Sequence, residues 1–186
     1  EGPGENLFEE IINCLGDNAI IAEDLGEAQQ EAEGLKNKYG IPGMKILQSA
    51  FGNGEKSYPH NFPENCVAYT GTHDNDTTIG WFHSQPGKGS TQTKNEIESE
   101  RKKVLKYLKT DGKDIHWEMI KMVISSKANT VIIPLQDILG LDSASRMNVP
   151  GTISGNWRWR FDWPILTEEK MHQMKKITTK FNRNHI

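Results

Sequence analysis

Cysteine is scarce in this chain: Cys14 and Cys66 are two of 186 residues. Their separation fits no metal-ligand spacing, which argues against a zinc ribbon or finger. A Cys14–Cys66 disulfide stays open as an alternative, but the expectation is two buried free thiols in a reducing compartment. Long apolar runs are missing as well. None approaches the ~18 residues that a membrane-spanning helix needs, so no membrane partner is expected. No excess of positive charge exists either. Lys and Arg number 22 against 25 Asp and Glu, for a net charge of -3, and the basic residues are scattered. That pattern offers no footprint for nucleic acid. The hydrophobic fraction of 35% is low for a globular domain. Clear apolar runs are nonetheless present, which excludes a disordered chain. The opening Glu1-Gly2-Pro3-Gly4 is unlike a secretion signal, so a cytoplasmic protein is expected, with a transit peptide on a longer precursor as the alternative. Neither internal repeats nor low-complexity tracts are found.

What is there alternates between two periods. Residues 6–15 carry apolar side chains at helical spacing, with Gly16 as a stop. Ala19–Ala22 is a short apolar run bounded by turn residues and predicts a buried strand. Residues 27–39 read as a polar helix. Met44–Gln48 and Cys66–Thr70 predict two further strands, with a Gly-, Pro- and Asn-rich loop at 52–65 between them. Residues 95–108 and 114–127 predict two helices. Thr130–Gln136 predicts a fourth strand despite Pro134, and 167–181 a last helix. Strands that alternate with helices imply a parallel sheet, hence an α/β fold. Four such units make half of an eight-stranded barrel, which usually needs about 250 residues. An open flavodoxin-like sheet fits the same count.

In parallel α/β folds the chemistry sits beyond the C-terminal ends of the strands. Glu23 and Asp24 follow the first apolar run, Asp74 and Asp76 follow the third, and Asp137 follows the fourth. For Asp24, Asp76 and Asp137 the expected role is an ordinary cap or loop hydrogen bond. Glu23 and Asp74 together point to function, because paired carboxylates at one pocket suit glycosidic bond cleavage. A metal site built on Glu23, His73, Asp74 and Asp76 is the weaker reading. The Asp74-Asn75-Asp76 string has Ile79 and Gln85 where a calcium loop needs Gly and Glu. No metal and no cofactor are expected. Trp81, Trp157, Trp159 and Trp163 lie in or near loops, where flat rings suit sugar faces, although packing under a loop explains any one of them equally. Trp117, spaced helically with Ile120 and Ile124, is expected in the core. His60 and His116 are expected to be structural or exposed.

Longer strings go further. Ile21-Ala22-Glu23-Asp24-Leu25-Gly26 resembles the acid/base segment of the amylomaltase-type 4-α-glucanotransferases, a family of the α-amylase group. Gly40-Ile41-Pro42-Gly43-Met44-Lys45-Ile46-Leu47-Gln48 is similar to the segment that follows. Tyr69-Thr70-Gly71-Thr72-His73-Asp74-Asn75-Asp76-Thr77 resembles the family's best-marked motif. Pro134–Gly140, Arg146–Gly151 and Ser154–Arg160 also match, so the resemblance runs in order from about residue 2 to residue 160. It implies a (β/α)₈ catalytic barrel, of which 1–186 would be the C-terminal half, strands 5 to 8, with long loops at the strand C-terminal ends. It implies transfer of α-1,4-glucan segments among maltooligosaccharides with retention of configuration. Glu23 would be the general acid/base and Asp74 the carboxylate that stabilises the transition state. His73, Asn148 and Ser154 would bind the glucan.

Two departures stand out. Ser49 occupies a place where the family carries an aromatic residue, which puts acceptor-side stacking in doubt. The family nucleophile is an Asp within Arg-x-Asp-His, and no Arg-x-Asp-His occurs in these 186 residues; Arg160-Phe161-Asp162 is followed by Trp163. The resemblance therefore implies that an N-terminal half of the same enzyme supplies it. A non-catalytic glucan-binding half-barrel is the alternative.

Overall fold

The computed structural model describes residues 2–16, 20–25, 29–87 and 92–183. Helix α1 (Glu5–Leu15) is followed by α2 (Gln29–Lys38), β1 (Gly43–Ile46) and the short α3 (Leu47–Ala50). Then come β2 (Cys66–Tyr69), α4 (Thr78–Phe82), α5 (Lys94–Leu108), α6 (Ile115–Ser125), β3 (Thr130–Ile132), α7 (Leu135–Leu139) and α8 (Glu168–Lys180).

The sheet is parallel, in the order β1-β2-β3. Gly43 lies opposite Cys66 and Ile46 opposite Tyr69, while Val67 pairs with Thr130 and Tyr69 with Ile132. On the other edge of β1, Ala22 makes a single parallel bridge to Gly43. The spatial order thus follows the chain order without reversal, unlike a flavodoxin-like sheet, which doubles back at a switch point. The chain is α/β with a parallel sheet, as its alternating periods imply.

Along β2 the side chains alternate. Cys66 and Ala68 join the core under the helices, and Val67 and Tyr69 point to the opposite face. Leu47, Phe51, Val104, Ile120 and Val123, all fully buried, fill the space between β2, α5 and α6. Helix α6 is apolar on more than one face, with Trp117 in the core as expected, because it packs against α4, α7 and α8. Helix α5 begins at a capping box: the Thr93 hydroxyl accepts from the Glu96 amide, and the Glu96 carboxylate accepts from Thr93. Around Phe51, the rings of Tyr58 and Tyr107 close at 5.4 and 5.7 Å, and the Tyr107 hydroxyl is hydrogen-bonded to His60 Nδ1. Among the described residues, no helix is long and apolar enough to cross a membrane.

Several local expectations shift. The predicted first strand reduces to the Ala22 bridge. Ala19 lies outside the described residues, and Ile21 is 46% exposed rather than buried. The predicted fourth strand stops at Ile132. Pro134, which has no N–H for a ladder, instead occupies the position before α7. Trp81 sits on α4 against the core, not in a loop. Both cysteines are free, but Cys14 is exposed and only Cys66 is buried.

Candidate functional site

The loop leaving β2, residues 71–77, is knotted by its own side chains. Asn75 Oδ1 accepts from both the amide and the hydroxyl of Thr72, each at 2.9 Å. This local turn lifts His73 and Asp74 to its apex, both about half exposed. The buried Gln48 donates to the Asp76 carbonyl from below. Gly71 leaves room for that contact, since a Cβ at this position would meet Gln48 Nε2 at 2.8 Å and the Gln48 amide would have to shift. Thr77 caps α4 by accepting from Gly80.

A second loop, after α7, closes over the first. Arg146 donates from Nη2 to the Asp74 carbonyl and from Nε to the Asn148 carbonyl, both at 2.7 Å. The Asn148 amide donates to the His73 carbonyl. Its side-chain Nδ2 donates to Asp74 Oδ1 at 2.6 Å. His73 Nε2 stands 3.4 Å from the same oxygen. One carboxylate oxygen of Asp74 is therefore held on the protein side. The other, Oδ2, has no protein partner among the described residues. Trp157 completes the cluster, with its ring 5.0 Å from that of His73. Its backbone lies in the left-handed region at φ 61°, a strained state for a bulky residue at a cost of about 1–3 kcal/mol. The Trp157 amide donates to the Met147 carbonyl and holds that geometry.

Of the residues expected to bind or react, the structure brings His73, Asp74 and Asn148 together. Glu23 is exposed, one residue past the Ala22 bridge. Ala22 and β2 run parallel, so Glu23 and Asp74 leave the sheet towards the same end, but Ala22 pairs with the first residue of β1 and no bond links the two acids. Ser154 is exposed in a loop closed by hydrogen bonds among Val149, Thr152 and Asn156, and it makes no hydrogen bond to Asp74. Ser49 is exposed on α3.

The other acids are engaged structurally. Asp24 accepts from Lys36 Nζ and from the Met44 amide, pinning its segment to β1. Burial alone would push its carboxyl up. The Lys36 ammonium and the Met44 amide outweigh that and hold it below the usual value. Asp76 accepts from the Ser143 hydroxyl and the Thr77 amide. Asp137, 2% exposed, accepts from the Thr70 hydroxyl and the Thr78 amide. Burial pushes its carboxyl up, and these two donors only partly offset the effect. Arg146 and Asp137 are the residues whose contribution the sequence does not disclose, because their partners lie some 60–70 positions away.

Behind the His73 loop lies a cavity of about 150 Å³, walled by Thr72, Asp137, Arg146 and Trp157 among others. A larger groove, about 780 Å³, runs between α6 and α8 past Lys121, His172 and Phe181. It holds none of the paired acids, so the chemistry and not the size locates the candidate site. Among the described residues, no group of three or more His, Cys, Asp or Glu is arranged to hold a metal ion.

A family model described as 4-alpha-glucanotransferase matches residues 1–167. A 4-alpha-glucanotransferase of Synechocystis sp. is 42% identical over 97% of this chain and 35% of its own length. A chloroplastic/amyloplastic 4-alpha-glucanotransferase of Arabidopsis thaliana is 46% identical over 86% of this chain and 26% of its own. Among solved structures, the amylomaltase from Streptococcus agalactiae in complex with acarbose superposes with a TM-score of 0.84 at 36% identity, covering 99% of this chain and 36% of the other. The chain spans about a third of the length of the relatives it matches. With a match that takes in most of its residues, this chain belongs to the 4-alpha-glucanotransferase family, the amylomaltases.

Proposed function

We propose that this chain is the C-terminal half of a barrel, strands 5 to 8 over residues 1–186, and carries the acid/base and the transition-state carboxylate of a 4-α-glucanotransferase. The observation that bears most weight is the Asp74 carboxylate, with Oδ1 held by Asn148 and Oδ2 left free at the end of a parallel strand. The unreversed strand order supports the half-barrel. So does β3, whose outer edge is unpaired among the described residues and whose Ile132 is 44% exposed. The remainder of the same enzyme would pair there and supply the nucleophile.

In this reading, α-1,4-glucans and maltooligosaccharides bind across the strand ends. As the nucleophile attacks C1, Glu23 protonates the departing 4-oxygen, and a covalent glycosyl-enzyme forms. The 4-hydroxyl of an acceptor then attacks C1 as the nucleophile's carboxylate departs, and its proton passes to the Glu23 carboxylate, so configuration is retained. Asp74 faces the positive charge that develops on the ring. His73 hydrogen-bonds the sugar. Asn148 acts chiefly through Asp74, and Ser154 reaches the glucan from its exposed loop. No cofactor takes part. Two free thiols fit a reducing compartment such as the cytoplasm.

The direct test is Glu23→Gln in the complete enzyme. An alkoxide leaving group needs a proton that an amide cannot give, so transfer from maltotriose is expected to fall by roughly 10²–10⁴-fold. A variant within twofold of the parent removes Glu23 from the mechanism. A second expectation concerns metal. The acids are accounted for by proton transfer, charge stabilisation and structural hydrogen bonds, so dialysis against EDTA should leave the rate unchanged. Activity lost to the chelator and restored by calcium or zinc would revive the metal reading.

A further inference from the structure

Asp137 is the most deeply buried acid in the described chain, and it has no role in the reaction set out above. Its position is specific. Oδ2 accepts from the Thr70 hydroxyl at 2.5 Å and Oδ1 from the Thr78 amide at 2.7 Å. Thr70 is the residue after β2, and Thr78 is the first residue of α4. One carboxyl group on α7 thus grips both ends of the seven-residue loop 71–77, at whose apex His73 and Asp74 sit. Thr70 and Thr78 are themselves fully buried.

A carboxyl group is a costly choice for this place. Among the described residues it has no cationic partner, and Asp76 nearby adds repulsion. An apolar residue would fill the same core volume without desolvating an acid. A short side chain with two acceptor oxygens, however, can fix two donors in one plane. Arg146 holds the same loop from the solvent side, through the Asp74 carbonyl.

We infer that Asp137 is a positioning residue for the proposed glucanotransferase reaction, clamping Thr70 to Thr78 so that the loop presents Asp74 at a fixed place. The inference rests on the reading of Asp74 given above. It predicts an effect on rate rather than on binding. A sugar can be bound by a carboxylate that is somewhat displaced, but stabilising a transition state demands placement, and about 1 Å of error can cost on the order of 10²-fold.

The test is made in the full-length enzyme with Asp137→Ala, Asp137→Asn and Thr70→Val. Val104→Ala serves as a core-cavity control away from the loop, and Asp74→Asn as the check on the site. The kcat and KM for maltotriose disproportionation are measured per folded protein, with Tm alongside. Asp137→Ala and Thr70→Val should lower kcat about 10–100-fold and change KM less than about threefold. Asp137→Asn should recover to within about fivefold of the parent kcat, since its carbonyl still accepts from Thr78 and the Thr70 hydroxyl can turn to accept from its amide. Val104→Ala should lower Tm and leave kcat in place. If Asp137→Ala does not fold, Thr70→Val decides alone. Clamp variants that reduce kcat no further than Val104→Ala overturn the inference, provided Asp74→Asn is inactive. An active Asp74→Asn sinks the reading of the site, and this inference with it.

Discussion

Asp74→Asn in the complete enzyme is expected to abolish detectable glucan transfer while maltooligosaccharide binding weakens far less. The substitution preserves shape. Asn148 Nδ2 can still donate to the side-chain oxygen that replaces Oδ1, and the Arg146 bond to the residue 74 carbonyl is untouched. In the proposed reaction, what disappears is a negative charge opposite a ring that becomes positive as the glycosidic bond breaks. That charge matters little to a neutral ground-state sugar and much to the transition state, so the loss falls on kcat. Removing one preorganised electrostatic contact of this kind typically costs roughly 10²–10³-fold. Losing a full charge should reach at least the upper end of that range. Steady-state kinetics on maltotriose and calorimetric titration with a longer maltooligosaccharide separate the two quantities. If KM rises and kcat holds, Asp74 is a plain binding residue and the assignment of the transition-state carboxylate must move elsewhere.

The residues that carry this argument were unequally visible in the sequence. Cys66–Thr70 reads as a strand and forms one over Cys66–Tyr69, because its neighbours β1 and β3 supply partners on both edges. The run before Glu23 has the same apolar look but, among the described residues, makes one bridge. A strand is completed by its neighbours' hydrogen bonds, which the run itself does not encode. Helices α4 and α7, five residues each, are too short to show a helical period. Their local signs are the capping Thr77, and the Pro134 and Gly140 that bracket α7. The acids divide in the same way. That Asp24, Asp76 and Asp137 are structural was legible from the frequency of such roles near strand ends. That Asp24 would meet Lys36, or Asp137 would join Thr70 to Thr78, was not, since those contacts depend on the tertiary fold. Asn148 illustrates the limit best. The motif implies a glucan contact for it, but only the geometry shows its amide committed to Asp74.

The 186-residue polypeptide, purified by itself, is expected not to disproportionate maltotriose. Retaining transfer needs a carboxylate nucleophile about 5 Å from the acid/base. The sequence contains no Arg-x-Asp-His, since Arg160-Phe161-Asp162 runs into Trp163, and the acids nearest the site are committed elsewhere. Asp24 is paired with Lys36, Asp76 with Ser143, and Asp137 lies beneath the loop. Folding works against the isolated chain too. A parallel sheet is normally covered on both faces, and closure into a barrel removes its edges. Here β3 offers an open edge with Ile132 exposed, and α1 shows Leu7 at 46% and Leu15 at 65% exposure. An edge of that kind invites pairing with another chain, so dimers or aggregates are expected in gel filtration at micromolar concentration. The decisive assay mixes this chain with a separately produced remainder of the enzyme. Glucose and longer maltodextrins should appear in the mixture and in neither component. Robust transfer by the single chain would mean that one of its own acids is the nucleophile, and the division of labour between the two halves proposed here would be wrong.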